Sequence, residues 1–162
     1  MMITSTRRVL LAAALLAGSL SSVALAKETS VWTDKENGSF VTLTYGPLDP
    51  AKTPLFMLSC FNGMGIAVLN VHSGLPDTKP GTALTIDLAS GDLKMPIEAE
   101  AVRDPASGDT LSEASDIEMK SILDVLRGES PVTVKVGGTS GELSDHGRAE
   151  AVKNFSENCE LS

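Results

Sequence analysis

The chain carries two cysteines, Cys60 and Cys159, and their wide separation constrains the fold more than any other feature. In an oxidising compartment a lone pair of cysteines forms a bridge. A bridge here closes a loop of about 100 residues, and loop entropy alone makes that worth about 4–5 kcal/mol when the geometry is unstrained. Redox-active pairs normally sit close together, as in Cys-x-x-Cys. A structural disulfide is therefore expected, pinning the last element of the chain onto whichever element carries Cys60.

The compartment is read from the N-terminus. Arg7 and Arg8 precede an apolar run from Val9 to Leu20, and Val23-Ala24-Leu25-Ala26 places small residues before Lys27. This is the three-part pattern of a signal peptide, and the run is too short to span a membrane. Residues 1–26 are read as the signal peptide and 27–162 as a single exported domain, periplasmic, with secretion as the alternative. Thr6-Arg7-Arg8-Val9-Leu10-Leu11 also fits a twin-arginine signal. An ordinary positive n-region is preferred, because nothing else in the chain points to a cofactor.

The formal net charge is −8, and losing a leader with two arginines and no acid takes it to −10. Such a surface repels nucleic acid and anionic membranes, so no nucleic-acid partner is expected. It suits a basic partner, and it also keeps an exported protein in solution. No second apolar stretch reaches spanning length, so no transmembrane segment remains after cleavage.

The first half of the domain reads as strands. Ser30 to Thr33 is a short one, Lys35-Glu36-Asn37-Gly38 a turn, and Ser39 to Tyr45 an alternating strand stopped by Gly46-Pro47. Leu55 to Phe61 and Met64 to Val71 flank Asn62-Gly63, the strongest short hairpin signal, since a type I′ turn needs positive φ at both central residues. That turn sets Phe61 opposite Met64, Cys60 opposite Gly65, Leu58 opposite Ala67 and Phe56 opposite Leu69. Thr82 to Leu88 and Leu93 to Val102 are further strands, and Pro96 marks the second as an edge or a bulge. Arg103 to Thr110 reads as a polar loop.

Helical spacing appears later. Ser115-Asp116-Ile117-Glu118 reads as a capping box before a stripe of Met119, Ile122, Leu123 and Leu126. Gly128 and Pro131 stop that helix. Pro131 to Val136 is a strand, Gly137 to Gly141 a turn, and Glu142-Leu143 a short extended piece. A last helix runs from Asp145 to Asn158, capped by Ser144, with Ala149, Val152, Phe155 and Cys159 on its buried face. The sum is six or seven strands and two helices: an α+β domain, an antiparallel sheet or small sandwich covered by the helices, with the C-terminal helix tied to the sheet by the disulfide.

Catalytic constellations are not found. His72 and His146 are the two histidines, far apart and outside any metal-binding motif, so no metal ligands are assigned. Met57, Met64, Met95 and Met119 do not cluster and are read as core. No Gly-x-Ser-x-Gly occurs. Asp104/Asp109 and Glu113/Asp116 fall in expected loops and caps, which gives a glycosidase dyad little support. Gly63-Met64-Gly65-Ile66-Ala67 sits in a hairpin and not at a strand-to-helix junction, so no cofactor is assigned.

Trp32 near the start, Cys60 on a central strand, and the run from Gly141-Glu142-Leu143 through Ala149 and Phe155 to Cys159 together resemble small periplasmic proteins associated with type VI secretion, of the VasI/TagO kind. The resemblance implies an accessory role and carries no catalytic residues. The expectation is a non-enzymatic binding module whose partner is another periplasmic or envelope protein. The alternatives are an inhibitor of a lytic enzyme such as lysozyme, although Ser73-Gly74, Ser90-Gly91, Ser107-Gly108 and Ser140-Gly141 all lack the Tyr of such inhibitors' recognition loops, and a small hydrolase whose site is assembled from distant residues.

Overall fold

The computed structural model describes residues 29–75 and 77–160, so the signal-peptide reading lies outside the described residues. Nine antiparallel strands form one sheet: β1 (Ser30–Asn37), β2 (Phe40–Pro47), β3 (Phe56–Phe61), β4 (Ile66–Val71), β5 (Ala83–Ser90), β6 (Leu93–Arg103), β7 (Thr110–Ser115), β8 (Val132–Val136) and β9 (Thr139–Leu143). Their spatial order is β1-β2-β3-β4-β7-β6-β5-β8-β9. Two helices, α1 (Met119–Leu126) and α2 (Arg148–Asn158), complete the α+β domain. None of the described helices is long and apolar enough to cross a membrane.

Period-two alternation builds one continuous apolar face across the sheet. Register sets Cys60 between Val41 and Ala67, Leu58 between Leu43 and Leu69, and Ile86 between Ile97 and Val136. Helix α2 packs against β1 and β2, α1 against β5 and β6, and the helices touch each other. Phe56, Leu58, Phe155, Ile122 and Leu126 are essentially fully buried there. Each contributes about 1.5–3 kcal/mol by leaving water.

The sheet curls until its two edges meet the same short segment. Ser144, directly after β9, donates its N–H to Tyr45 Oη at 3.0 Å, and its carbonyl accepts from Trp32 Nε1 at 2.7 Å. The next link is backbone to backbone, Trp32 N–H to the His146 carbonyl at 2.9 Å. Trp32 is buried, with its ring 5.2 Å from Tyr45 and 5.4 Å from Phe56. Ser144 is thus a stitch between edges and does not cap α2, which begins after Gly147 without a side-chain cap.

The central hairpin differs from the type I′ expectation. Phe61 pairs with Ile66, Cys60 with Ala67, Leu58 with Leu69 and Phe56 with Val71. Residues Asn62–Met64 form a 3₁₀ turn, and Gly65 (φ 63°) is the left-handed residue. The register moves by two, so every side chain keeps its face. Asn62 is drawn elsewhere: its amide donates to the Asn158 carbonyl at 2.7 Å and its oxygen accepts the Glu160 N–H at 2.8 Å, both at the end of α2.

Other boundaries shift for local reasons. Strand β1 runs to Asn37, leaving Gly38-Ser39 as the turn, and β2 continues through Gly46 and Pro47, which pair with Val31 and Ser30. Ser115 does not cap α1. It stays in β7 opposite Val68, Asp116 (φ 55°) breaks the strand, and Glu118 is the cap, its carboxylate accepting the Ser121 N–H at 3.1 Å. Strand β7 was not anticipated, because Thr110–Ser115 is short and polar. It is the one strand that joins β4 to β6. Pro96 falls where its strand has a partner on one side: β6 pairs with β5 from Leu93 to Glu100 and with β7 only from Glu100 to Arg103. On α2 the buried positions are Arg148, Ala151, Val152 and Phe155, and Ala149 is exposed. Met64 is 65% exposed and is not core, while Met95 and Met119 pack against the core.

Candidate functional site

The expected disulfide is formed. Cys60 and Cys159 are bridged at an S–S distance of 2.09 Å with Cα atoms 5.8 Å apart. Cys60 is fully buried on the inner face. The bridge ties the end of α2 to β3 and offers no chemistry to a ligand.

The outer face of the sheet carries a different feature. Alternation along β4 turns Leu69 and Val71 into the core and Asn70 outward, and His72, one residue past the strand, follows Asn70. The His72 N–H continues the ladder to the Leu55 carbonyl at 2.8 Å. Met57, Glu113, Leu111 and Val102 come to the same face from β3, β7 and β6, and with Asn70 and His72 they line a groove of about 470 Å³. A second recess of about 360 Å³ continues past His72 and Arg103 toward Asp109 and Thr110.

Two loops wall the groove. Residues 48–55 fold back over the end of β2, where Gly46 lacks a side chain because a Cβ there would stand 2.6 Å from Pro54 Cα. Residues 104–109 form a self-bonded loop. The Asp104 carboxylate accepts from the Ala106 N–H at 2.9 Å and the Ser107 hydroxyl at 2.8 Å, and the Arg103 guanidinium donates to the Gly108 carbonyl at 2.5 Å. These bonds, the Ala106 amide foremost, hold the Asp104 carboxyl below the usual carboxylate range.

His72 sits between the walls. Its Nε2 is 3.8 Å from Asp104 Oδ2, and its side chain is 16% exposed. Both ring nitrogens and the Ser73 hydroxyl are buried without a well-formed hydrogen bond. Burial pushes the His72 pKa below that of an ordinary histidine, against the opposing pull of Asp104 and the Pro54 carbonyl. Nearby, Asn70 donates to Glu113 at 2.9 Å. Among the described residues no serine, threonine or cysteine side chain is hydrogen-bonded to the His72 ring.

The fold therefore gathers residues that the sequence left scattered. Asp104, Asp109 and His72 come together, and Glu113 stands on a strand of the groove floor instead of in a cap. His146 belongs to the stitched segment beside Trp32 and lines neither recess. Among the described residues no group of three or more His, Cys, Asp or Glu is placed to hold a metal ion. Asn70 was missed as a site residue, although a polar side chain inside the apolar run of β4 was its signal.

No protein-family model, curated protein or solved structure matches this chain.

Proposed function

We propose that this protein is a non-enzymatic, exported binding module of the periplasm, an accessory of the VasI/TagO kind, and that the groove beside His72 receives its partner, another envelope protein. The observation that carries this reading is the His72 ring, its nitrogens covered and without a well-formed hydrogen bond, set in an open groove floored by Met57, Val102 and Leu111 beside Asn70 and Glu113. Unpaired buried polar atoms are costly, so they mark a surface completed by something outside the chain. The lack of a nucleophile bonded to His72 favours binding over hydrolysis. The formal charge of −8 also suits the alternative, inhibition of a basic lytic enzyme.

The test compares three immobilised forms against one envelope extract: the wild type, Met57→Arg to fill the groove, and Leu93→Arg on an exposed site elsewhere. The reading expects a discrete partner retained by the wild type and Leu93→Arg and lost by Met57→Arg. Equal retention by all three contradicts it. Micromolar inhibition of a basic lysozyme, abolished by Met57→Arg, establishes the inhibitor in its place.

A further inference from the structure

We propose that the groove binds a basic side chain of an extended protein segment, its charged head held between His72 and Asp104 and its stem laid along Met57, Val102 and Leu111. This rests on the groove being the partner site proposed above.

The geometry asks for a donor. His72 Nε2 and Asp104 Oδ2 are 3.8 Å apart, too far for a direct hydrogen bond. A neutral imidazole has one N–H and one bare nitrogen, and a carboxylate only accepts. The Asp104 carboxylate is oriented by Ala106 and Ser107, so the side chain cannot turn toward the ring without breaking those bonds. An ammonium or guanidinium group entering here bonds the Asp104 carboxylate, a charge-assisted bond of the stronger class, and meets the bare His72 nitrogen, which is covered in this structure, once the ring turns toward the groove.

The charges around His72 agree. Asp104 and Asp109 face it from the 104–109 loop and Glu113 lies on β7, against Arg103 at the end of β6 and Lys52 in the 48–55 loop. Arg103 is already bonded to the Gly108 carbonyl. Carboxylates are in excess locally, and the whole chain carries −8. The apolar floor matches the methylene stem of a long basic side chain, which buries its stem and keeps its head polar. The groove is open and runs on into the second recess, which fits a chain segment better than a free amine.

A proton competes with such a ligand. Protonating His72 supplies the missing donor and adds a repelling charge, so binding weakens as pH falls through the His72 titration.

The experiment titrates the exported domain with acetyl-Ala-Leu-Lys-Leu-Ala-amide, its arginine counterpart, and a neutral peptide with norleucine in the central position. Binding is followed by NMR of the His72 imidazole and of the backbone amides. The basic peptides are expected to move the His72 and 104–109 signals and to bind about tenfold more tightly than the norleucine peptide. That advantage disappears in Asp104→Asn and below the His72 titration. Equal binding of all three in the groove overturns the basic-ligand proposal and leaves the groove as a partner site. Binding that maps to another surface, or no binding by any of the peptides, overturns the proposal as well, and the groove reading is then judged by the capture experiment alone.

Discussion

Arg148 closes on Gly128: from the first turn of α2 its guanidinium donates to the Gly128 carbonyl at 2.6 Å, beyond the last turn of α1. The same group donates to Ser130 O at 3.0 Å and pairs with Asp145 at 3.0 Å. The Arg148 side chain is 8% exposed, so its bonds to the two carbonyls are formed away from water, while Asp145 meets it from the exposed side. Arg148→Met is expected to cost about 2–3 kcal/mol, because the carbonyls lose a charged donor and one is left unpaired. Arg148→Lys restores only part of this, since a point charge cannot replace the fork. Urea midpoints of the three forms check it.

The central turn gives a sharper test. In a type I′ turn Gly63 needs positive φ, whereas the 3₁₀ turn puts that demand on Gly65 (φ 63°). Gly65→Ala is therefore expected to destabilise by about 1 kcal/mol, while Gly63→Ala, with open space around its Cβ position, changes stability by less than about 0.5 kcal/mol. Thermal melting of both variants measures the difference.

The contrast shows what the sequence can and cannot carry. The expected hairpin register set Cys60, Leu58 and Leu69 on one face, and the structure keeps them together there, because a two-residue slip leaves faces unchanged. The Asn-Gly signal failed because Asn62 is recruited by Asn158 and Glu160, contacts almost a hundred positions away that no local rule reads. Arg148 was invisible as a buried residue for the same reason: its partners lie beyond α1. The groove was the least legible part, since Met57, His72, Asp104 and Glu113 meet only when the unanticipated β7 joins β4 to β6.

The disulfide links fold and stability directly. Cys159→Ser is expected to destabilise the domain by about 4 kcal/mol, through the entropy released when a loop of about 100 residues opens. The wild type treated with reductant should melt with the variant. Calorimetry with and without reductant reads this, and an unchanged midpoint contradicts the clamp.

The buried ring of His72 predicts a pH dependence with a definite sign. Its folded pKa lies below the ordinary histidine value of 6.5, so the unfolded chain takes up a proton that the folded one refuses. Stability falls as pH drops below 6.5 and levels off below the folded value. His72→Gln removes that component, and Asp104, whose pKa is also lowered, begins to matter only at more acid pH. Denaturant midpoints across the range for both proteins show whether the two curves separate as expected.

The groove is tested most directly by light-activated cross-linking in the living cell envelope. A benzophenone side chain placed at Ala106, on the groove wall, should give a discrete adduct with a partner, and the same group at Leu93, away from the groove, should give none. No adduct from Ala106, or the same adduct from both positions, contradicts the account.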